Sequence, residues 1–219
     1  MAGRVISVTE ALGSGAPMIA RSIGDRLGIS VVDREVFLLV AQEAGVSPQT
    51  VEEAELSHSF LHSMIERMGV YLEADESLDM RETFSSLSVM TSDNYRELIQ
   101  GVIRNIADTS EAVIIGHGSH VILKDYPNVL RVYLNAPLET RALRVSETSG
   151  VDRESAEKLV REHDQKRRSY FEDQLKVRRN EAQNYDLCLR TERLTFDACT
   201  DLICNAVAAL VPDREPTPA

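Results

Sequence analysis

The stretch LGSGAPMIA, Leu12 to Ala20, follows the apolar run Val5–Thr9 directly. A strand, a tight Gly-Ser-Gly turn and a helix start together make an anion site. Backbone N–H groups converge there, and the helix dipole favours negative charge. Gly13 and Gly15 let the backbone approach a phosphate closely, and Ser14, Ala16 and Pro17 complete the turn. The common phosphate loop, G-x-x-x-x-G-K-[ST], adds a lysine for the β- and γ-phosphates and a hydroxyl for magnesium. Counted from Gly15 as its last glycine, the lysine position holds Ala16, the hydroxyl position Pro17 and the first glycine position Glu10. Taken as a bare motif, this also fits an ordinary strand-to-helix turn.

Positive charge is gathered elsewhere. Lys166, Arg167, Arg168, Lys176, Arg178 and Arg179 stand against only Glu172 and Asp173 between Lys166 and Arg179. Alone, such a cluster is a solvated helix face. Beside an anionic ligand it is the charge that the loop lacks. His117 and His120, in GHGSH, have no carboxylate or cysteine partners at metal-ligand spacing and read as polar loop residues, with no metal site expected.

These residues belong to a chain of 219 residues, long enough for one sizeable core with an inserted lobe. Hydrophobic residues at 43% and charged residues at 27% fit a globular protein. No apolar run approaches the roughly 20 residues needed to cross a bilayer, and no signal-peptide pattern opens the sequence, so no membrane partner is expected. Cys188, Cys199 and Cys204 show no metal-ligand spacing, which points to reduced thiols and a cytoplasmic location. The formal net charge of −11 argues against a nucleic-acid partner. A small anionic substrate stays compatible if positive charge is local. Whether the chain forms a homo-oligomer is left open.

The elements that must position these residues alternate. Val5–Thr9, Ile29–Val32, Ala112–Ile115, Val129–Leu134 and Asp186–Leu189 read as short apolar strands. Between them, helical spacing runs from Pro17 to Leu27, with Gly28 as the stop, and over Glu35–Ala44, His58–Leu72, Asp93–Ala107, Leu138–Val145, Glu154–Tyr170 and Phe196–Leu210. Strands separated by helices imply a parallel sheet covered on both faces. Ligands of such sheets bind at the carboxyl ends of the strands. That singles out Gly13–Pro17, Asp33, His117, the stretch Ala136–Arg144 and the arm before Asp186.

The chain resembles the cytidylate kinase-like family, a branch of the P-loop kinases whose loop lacks the lysine and typically reads G-S-G-G. The matching blocks run in order along the chain: GSGAPMIARSIGDRLG at Gly13–Gly28, VVDRE at Val31–Glu35, VIIGHGSHVILKDYPNVLRVYLNAPLETR at Val113–Arg141, DQKRRSYF at Asp164–Phe171 and NYDLCLRT at Asn184–Thr191. The sequence departs from the family at Pro17, where a basic residue is usual, and at His117, where arginine is usual.

The resemblance implies a three-layer α/β P-loop kinase sandwich with a five-stranded parallel sheet and the first strand central. It implies one kinase-like domain over 1–211, with a helical insertion and nucleotide-binding region at 45–108, a helical lid arm at 152–183 and a loose tail at 212–219. It also implies ATP with Mg2+ as phosphoryl donor and a nucleoside monophosphate, CMP or dCMP, as acceptor. The retention of the fold without catalysis, or a different small acceptor, are the alternative readings. Arg167 and Arg141 are the expected catalytic arginines; Arg141 alternatively pairs with Glu139 or Glu147. Gly13, Ser14, Gly15, Ala16, Pro17 and Arg144 are expected on the ATP side. Asp33, His117, Asp164, Arg168 and Tyr170 are expected on the acceptor side, with Asp164 and Arg167 forming the D-x-x-R element of the lid. Asp33 alternatively caps the helix that follows it.

Overall fold

The computed structural model describes residues 4–33, 92–178 and 181–210. The helices expected over Glu35–Ala44 and His58–Leu72, residue Arg179 and the tail 212–219 lie outside the described residues. Among the described residues, one parallel sheet forms the centre of the fold. Its strands are β1 (Val5–Glu10), β2 (Ser30–Val32), β3 (Ala112–Ile115), β4 (Val129–Asn135) and β5 (Leu187–Arg190), in the spatial order β2-β3-β1-β4-β5. β1 is central: Val5 lies level with Ala112 on one side and with Val129 on the other. The five strands expected from the sequence are therefore the five observed, displaced by at most one residue at an end.

The apolar alternation along β1 divides the core between the two faces. Ile6 and Val8 pack with Ile19, Ala20 and Ile23 of α1 (Ala16–Leu27). Cys199, Ile203 and Val207 of α6 (Phe196–Ala208) join the same face. Val5 faces the other way, towards Leu98, Val102, Ile103 and Ile106 of α2 (Ser92–Thr109). This is period-2 alternation in a strand covered on both faces. α3 (Ser119–Ile122) follows β3 on the α2 side, and Leu123 at its end is buried there.

α4 (Leu138–Ser149) and α5 (Arg153–Ser169) form a third apolar patch with the loop after β1: Leu12, Ala142, Val145, Ala156 and Val160 are buried together. α5 then widens into a π-helical turn at Tyr170–Gln174, and Phe171 is buried at that turn. Three helix ends have a local cause. Gly28 stops α1 with φ 68°, its N–H bonding the Gly24 carbonyl. Asp152 caps α5 by accepting from the Ser155 N–H, and Thr195 caps α6 by accepting from the Ala198 N–H. Asp186 fixes β5 to β4 through the Arg131 guanidinium, at 2.8 and 3.1 Å, and the Arg131 backbone N–H.

Candidate phosphate-binding site

The loop after β1 is built by two glycines in the left-handed region, Gly13 at φ 81° and Gly15 at φ 86°. Conformation is only part of the reason for glycine here. A Cβ on Gly13 would stand 2.6 Å from the Arg141 carbonyl oxygen, and one on Gly15 would stand 2.3 Å from the Phe196 ring. The glycines thus admit α4 and α6 against the loop, a cause that loop composition alone does not reveal. Ala16, at the lysine position, is fully buried in the α1-side core, whereas Pro17 is exposed at the start of the helix. The loop supplies no cationic side chain.

Two arginines of α4 hold the loop's carbonyls instead. Arg141 donates from Nη1 to the Leu12 carbonyl at 3.2 Å. Arg144 donates from Nη1 to the carbonyls of Gly13 and Ser14, each at 3.3 Å. The Thr191 hydroxyl, just past β5, donates to the Ser14 carbonyl at 2.7 Å and accepts from Arg144 Nη1 at 2.8 Å. Arg144 Nη2 also reaches the Thr191 carbonyl at 2.8 Å, and its guanidinium lies 5.0 Å from the Phe196 ring centroid. In a trans peptide the N–H points opposite to the C=O. The arginine contacts to Leu12 and Ser14 therefore turn the amides of Gly13 and Gly15 away from α4. The Ser14 hydroxyl is buried without a hydrogen-bond partner among the described residues.

Arg141, only 6% exposed, has further partners: Nε donates to the Ala136 carbonyl at 2.8 Å, and the two terminal nitrogens grip Asp164 of α5 at 3.2 and 2.7 Å. Neither Glu139 nor Glu147, the partners expected alternatively, receives it; the partner lies 23 residues away on the next helix. One turn beyond Asp164, the Arg167 guanidinium nitrogens come within 3.8 and 3.9 Å of where a Gly116 Cβ would stand. Arg167 is thus at the carboxyl end of β3, beside the end of β1. Arg168, next in sequence, falls on the exposed face of α5, because one helical residue turns the side chain by roughly 100°. Tyr170 lies edge-on to Phe171, with ring centroids 5.6 Å apart.

The GHG turn after β3 is left-handed throughout: φ is 79° at Gly116, 52° at His117 and 69° at Gly118. His117 is half-buried at the strand's end. His120 turns into the interior, where Nδ1 meets the Thr9 hydroxyl at 2.9 Å and Nε2 the Tyr185 hydroxyl at 3.4 Å. Its ring stacks on Tyr185 at 4.9 Å, and Ser7 and Ser119 share a hydrogen bond of 2.6 Å alongside it. Asp33 stands at the carboxyl end of β2, next to the undescribed segment. Sequence reasoning missed Thr191 and Phe196. Thr191 directly follows the last strand, and the rule that sites gather at strand carboxyl ends is the signal that would have found it.

Burial pushes the Cys199 thiol above its ordinary value, with Arg144 acting in the opposite direction. Among the described residues, no group of three or more His, Cys, Asp or Glu side chains could hold a metal ion, and no helix is long and apolar enough to cross a membrane.

Known proteins share this architecture. A cytidylate kinase of Methanopyrus kandleri is 24% identical over 213 residues, spanning 97% of each chain. A crystal structure of an uncharacterized protein from Eubacterium ventriosum superposes with a TM-score of 0.66 at 18% identity, covering 94% of this chain and 99% of that one. A shikimate kinase from Bacteroides thetaiotaomicron superposes with a TM-score of 0.51 at 10% identity, covering 94% and 98%. These likenesses establish the P-loop kinase fold, with its three-layer arrangement around a five-stranded parallel sheet. The model of the cytidylate kinase-like family matches residues 5–193, and this chain is a member of that family.

Proposed function

We propose that the protein transfers the γ-phosphoryl group of ATP to the phosphate of a nucleoside monophosphate, with CMP or dCMP as the acceptor. Membership of the cytidylate kinase-like family and cytidylate kinase relatives at 24% and 23% identity support this reading. The observation that carries it is the arrangement of charge and amides at the carboxyl ends of β1 and β3. The amides of Gly13 and Gly15 are turned outward by arginine contacts to the Leu12 and Ser14 carbonyls, and Arg167 comes over Gly116 at the end of the neighbouring strand.

Phosphoryl transfer asks a protein mainly for positioning and charge stabilisation. In this reading the amides of Gly13, Gly15 and Ala16 cradle the ATP phosphates at the N-terminus of α1, while the Ser14 N–H holds the turn closed on the Ala11 carbonyl at 2.9 Å. An acceptor phosphate oxygen attacks the γ-phosphorus, the bond to the β-phosphate oxygen breaks, and ADP leaves. The acceptor is already an anion, so no general base is required. Arg167 supplies the positive charge that Ala16 cannot. His117 can donate one hydrogen bond to a phosphate, without arginine's bidentate fork. Asp33, Arg168 and Tyr170 remain proposed contacts on the acceptor side. Magnesium neutralises phosphate charge when present. Ala16 and Pro17 stand where the common loop carries its lysine and its magnesium-binding hydroxyl, so magnesium would enter bound to the ATP phosphates.

The test is ADP release at saturating ATP and magnesium over a full panel of nucleoside monophosphates. Turnover with CMP or dCMP above the other bases is expected. ATP binding without turnover of any acceptor would instead favour a nucleotide-binding protein that kept the fold alone.

A further inference from the structure

We propose that Arg141 and Asp164 form a positioning pair that sets the phosphate loop and the Arg167-bearing face of α5 in one fixed geometry. This rests on the phosphotransferase reading above and gives Asp164 a role other than binding the acceptor. Arg141 commits nearly all its donors within the protein: to the Ala136 carbonyl, to the Leu12 carbonyl and to both oxygens of Asp164. A guanidinium so engaged cannot grip a phosphate without releasing one of these partners. Its backbone carbonyl also fills the space where a Gly13 side chain would stand. Arg141 therefore touches the loop twice and α5 once.

Asp164 and Arg167 are three residues apart, on one face of α5. The contacts close a circuit: Leu12 to Arg141, Arg141 to Asp164, one helical turn to Arg167, Arg167 over Gly116, and β3 paired with β1, which leads back to the loop. The loop amides and the lid arginine thus share one adjustable joint, the bidentate ion pair. Such a pair fixes direction as well as distance, which a lysine does not reproduce.

The test uses Asp164→Asn, Arg141→Lys and the apolar double variant Arg141→Met/Asp164→Leu, each as the full chain. In the nucleotide-free protein, amide hydrogen exchange at Ser14, whose N–H is bonded to the Ala11 carbonyl, should accelerate about 10-fold or more in Asp164→Asn and Arg141→Lys, while β4 keeps its protection. In turnover, kcat should fall about 100-fold, as a small misplacement of a reacting group does, with the acceptor KM changed by less than about 3-fold. An apolar pair can replace a buried ion pair without loss of stability. The double variant still lacks the donors to the Ala136 and Leu12 carbonyls, so it should regain part of the Tm lost in the single variants but neither the loop protection nor kcat. Unchanged loop exchange in both single variants would overturn the proposal. So would a double variant that regains kcat together with Tm, or a raised acceptor KM with kcat retained, which would make Asp164 an acceptor ligand. If the wild type turns over no nucleotide, the kinase reading fails, and loop exchange alone still decides the pair.

Discussion

The Thr191 hydroxyl donates a 2.7 Å hydrogen bond to the Ser14 carbonyl, so the residue that ends the last strand holds the loop that follows the first. The same hydroxyl accepts from Arg144. Replacing Thr191 by Val keeps the shape and removes both bonds at a residue that is 3% exposed. We expect a loss of about 1–3 kcal/mol in urea unfolding, the cost of a buried group left unsatisfied. Weaker ATP binding should accompany it in calorimetry. Thr191→Ser should keep most of both, and a Val variant as stable as wild type would show that Arg144 alone braces the loop.

Gly15 is required by Phe196 as much as by any ligand. Gly15→Ala should destabilise by about 2–5 kcal/mol, combining a left-handed backbone cost of roughly 1–2 with overpacking of roughly 1–3. Adding Phe196→Ala makes room for the new methyl, so the pair should be less destabilised than the sum of the single variants. Strict additivity in urea unfolding would mean that the ring does not meet the substituted side chain. Substitution at Gly15 therefore reports on packing first and on phosphate binding second.

His117 is the non-glycine residue in the left-handed GHG turn. His117→Gly should raise stability by about 0.5–1 kcal/mol, the strain relieved less glycine's own entropic cost. His117→Ala keeps the strain and should fall below the glycine variant. A lower urea midpoint for His117→Gly at unchanged m-value would show that imidazole contacts outweigh the backbone cost.

Asp152 accepts from the Ser155 hydroxyl at 2.6 Å and from its backbone N–H at 2.9 Å, which holds its carboxyl below the usual carboxylate value. Because the folded pKa is depressed, this stabilisation is complete above the unfolded value near 3.9 and is lost as the pH falls through the lower folded value. The Tm gap between wild type and Asp152→Ala should therefore be steady between about pH 8 and 5 and shrink below about pH 4. A gap that grows on acidification would contradict the cap.

The architecture was legible because it rests on local patterns. Apolar runs such as Ala112–Ile115 are short and bounded by turns, and Gly28 marks a helix stop in the sequence as in the structure. For the candidate site, the sequence singles out residues but not how they pair. Arg141 and Asp164 were both singled out, yet their contact joins two helices across 23 residues, and no helical spacing encodes it. Arg167 and Arg168 are adjacent in one basic run, and only the rotation of α5 separates the one over Gly116 from the one in solvent. The glycines of the loop suggested close approach to a phosphate, but α4 and α6 also require them, and tertiary packing of that kind leaves no local trace.

In the proposed reading, a loop without a lysine supports phosphoryl transfer because Arg167 brings the missing charge beside it. The most direct measurement is kcat for ADP release by wild type and Arg167→Ala, at saturating ATP, magnesium and CMP. Turnover by the wild type is expected, with a kcat about 100-fold lower in the variant, close to the effect of removing one preorganised donor from a transition state. An Arg167→Ala protein that turns over CMP as fast as wild type would contradict it.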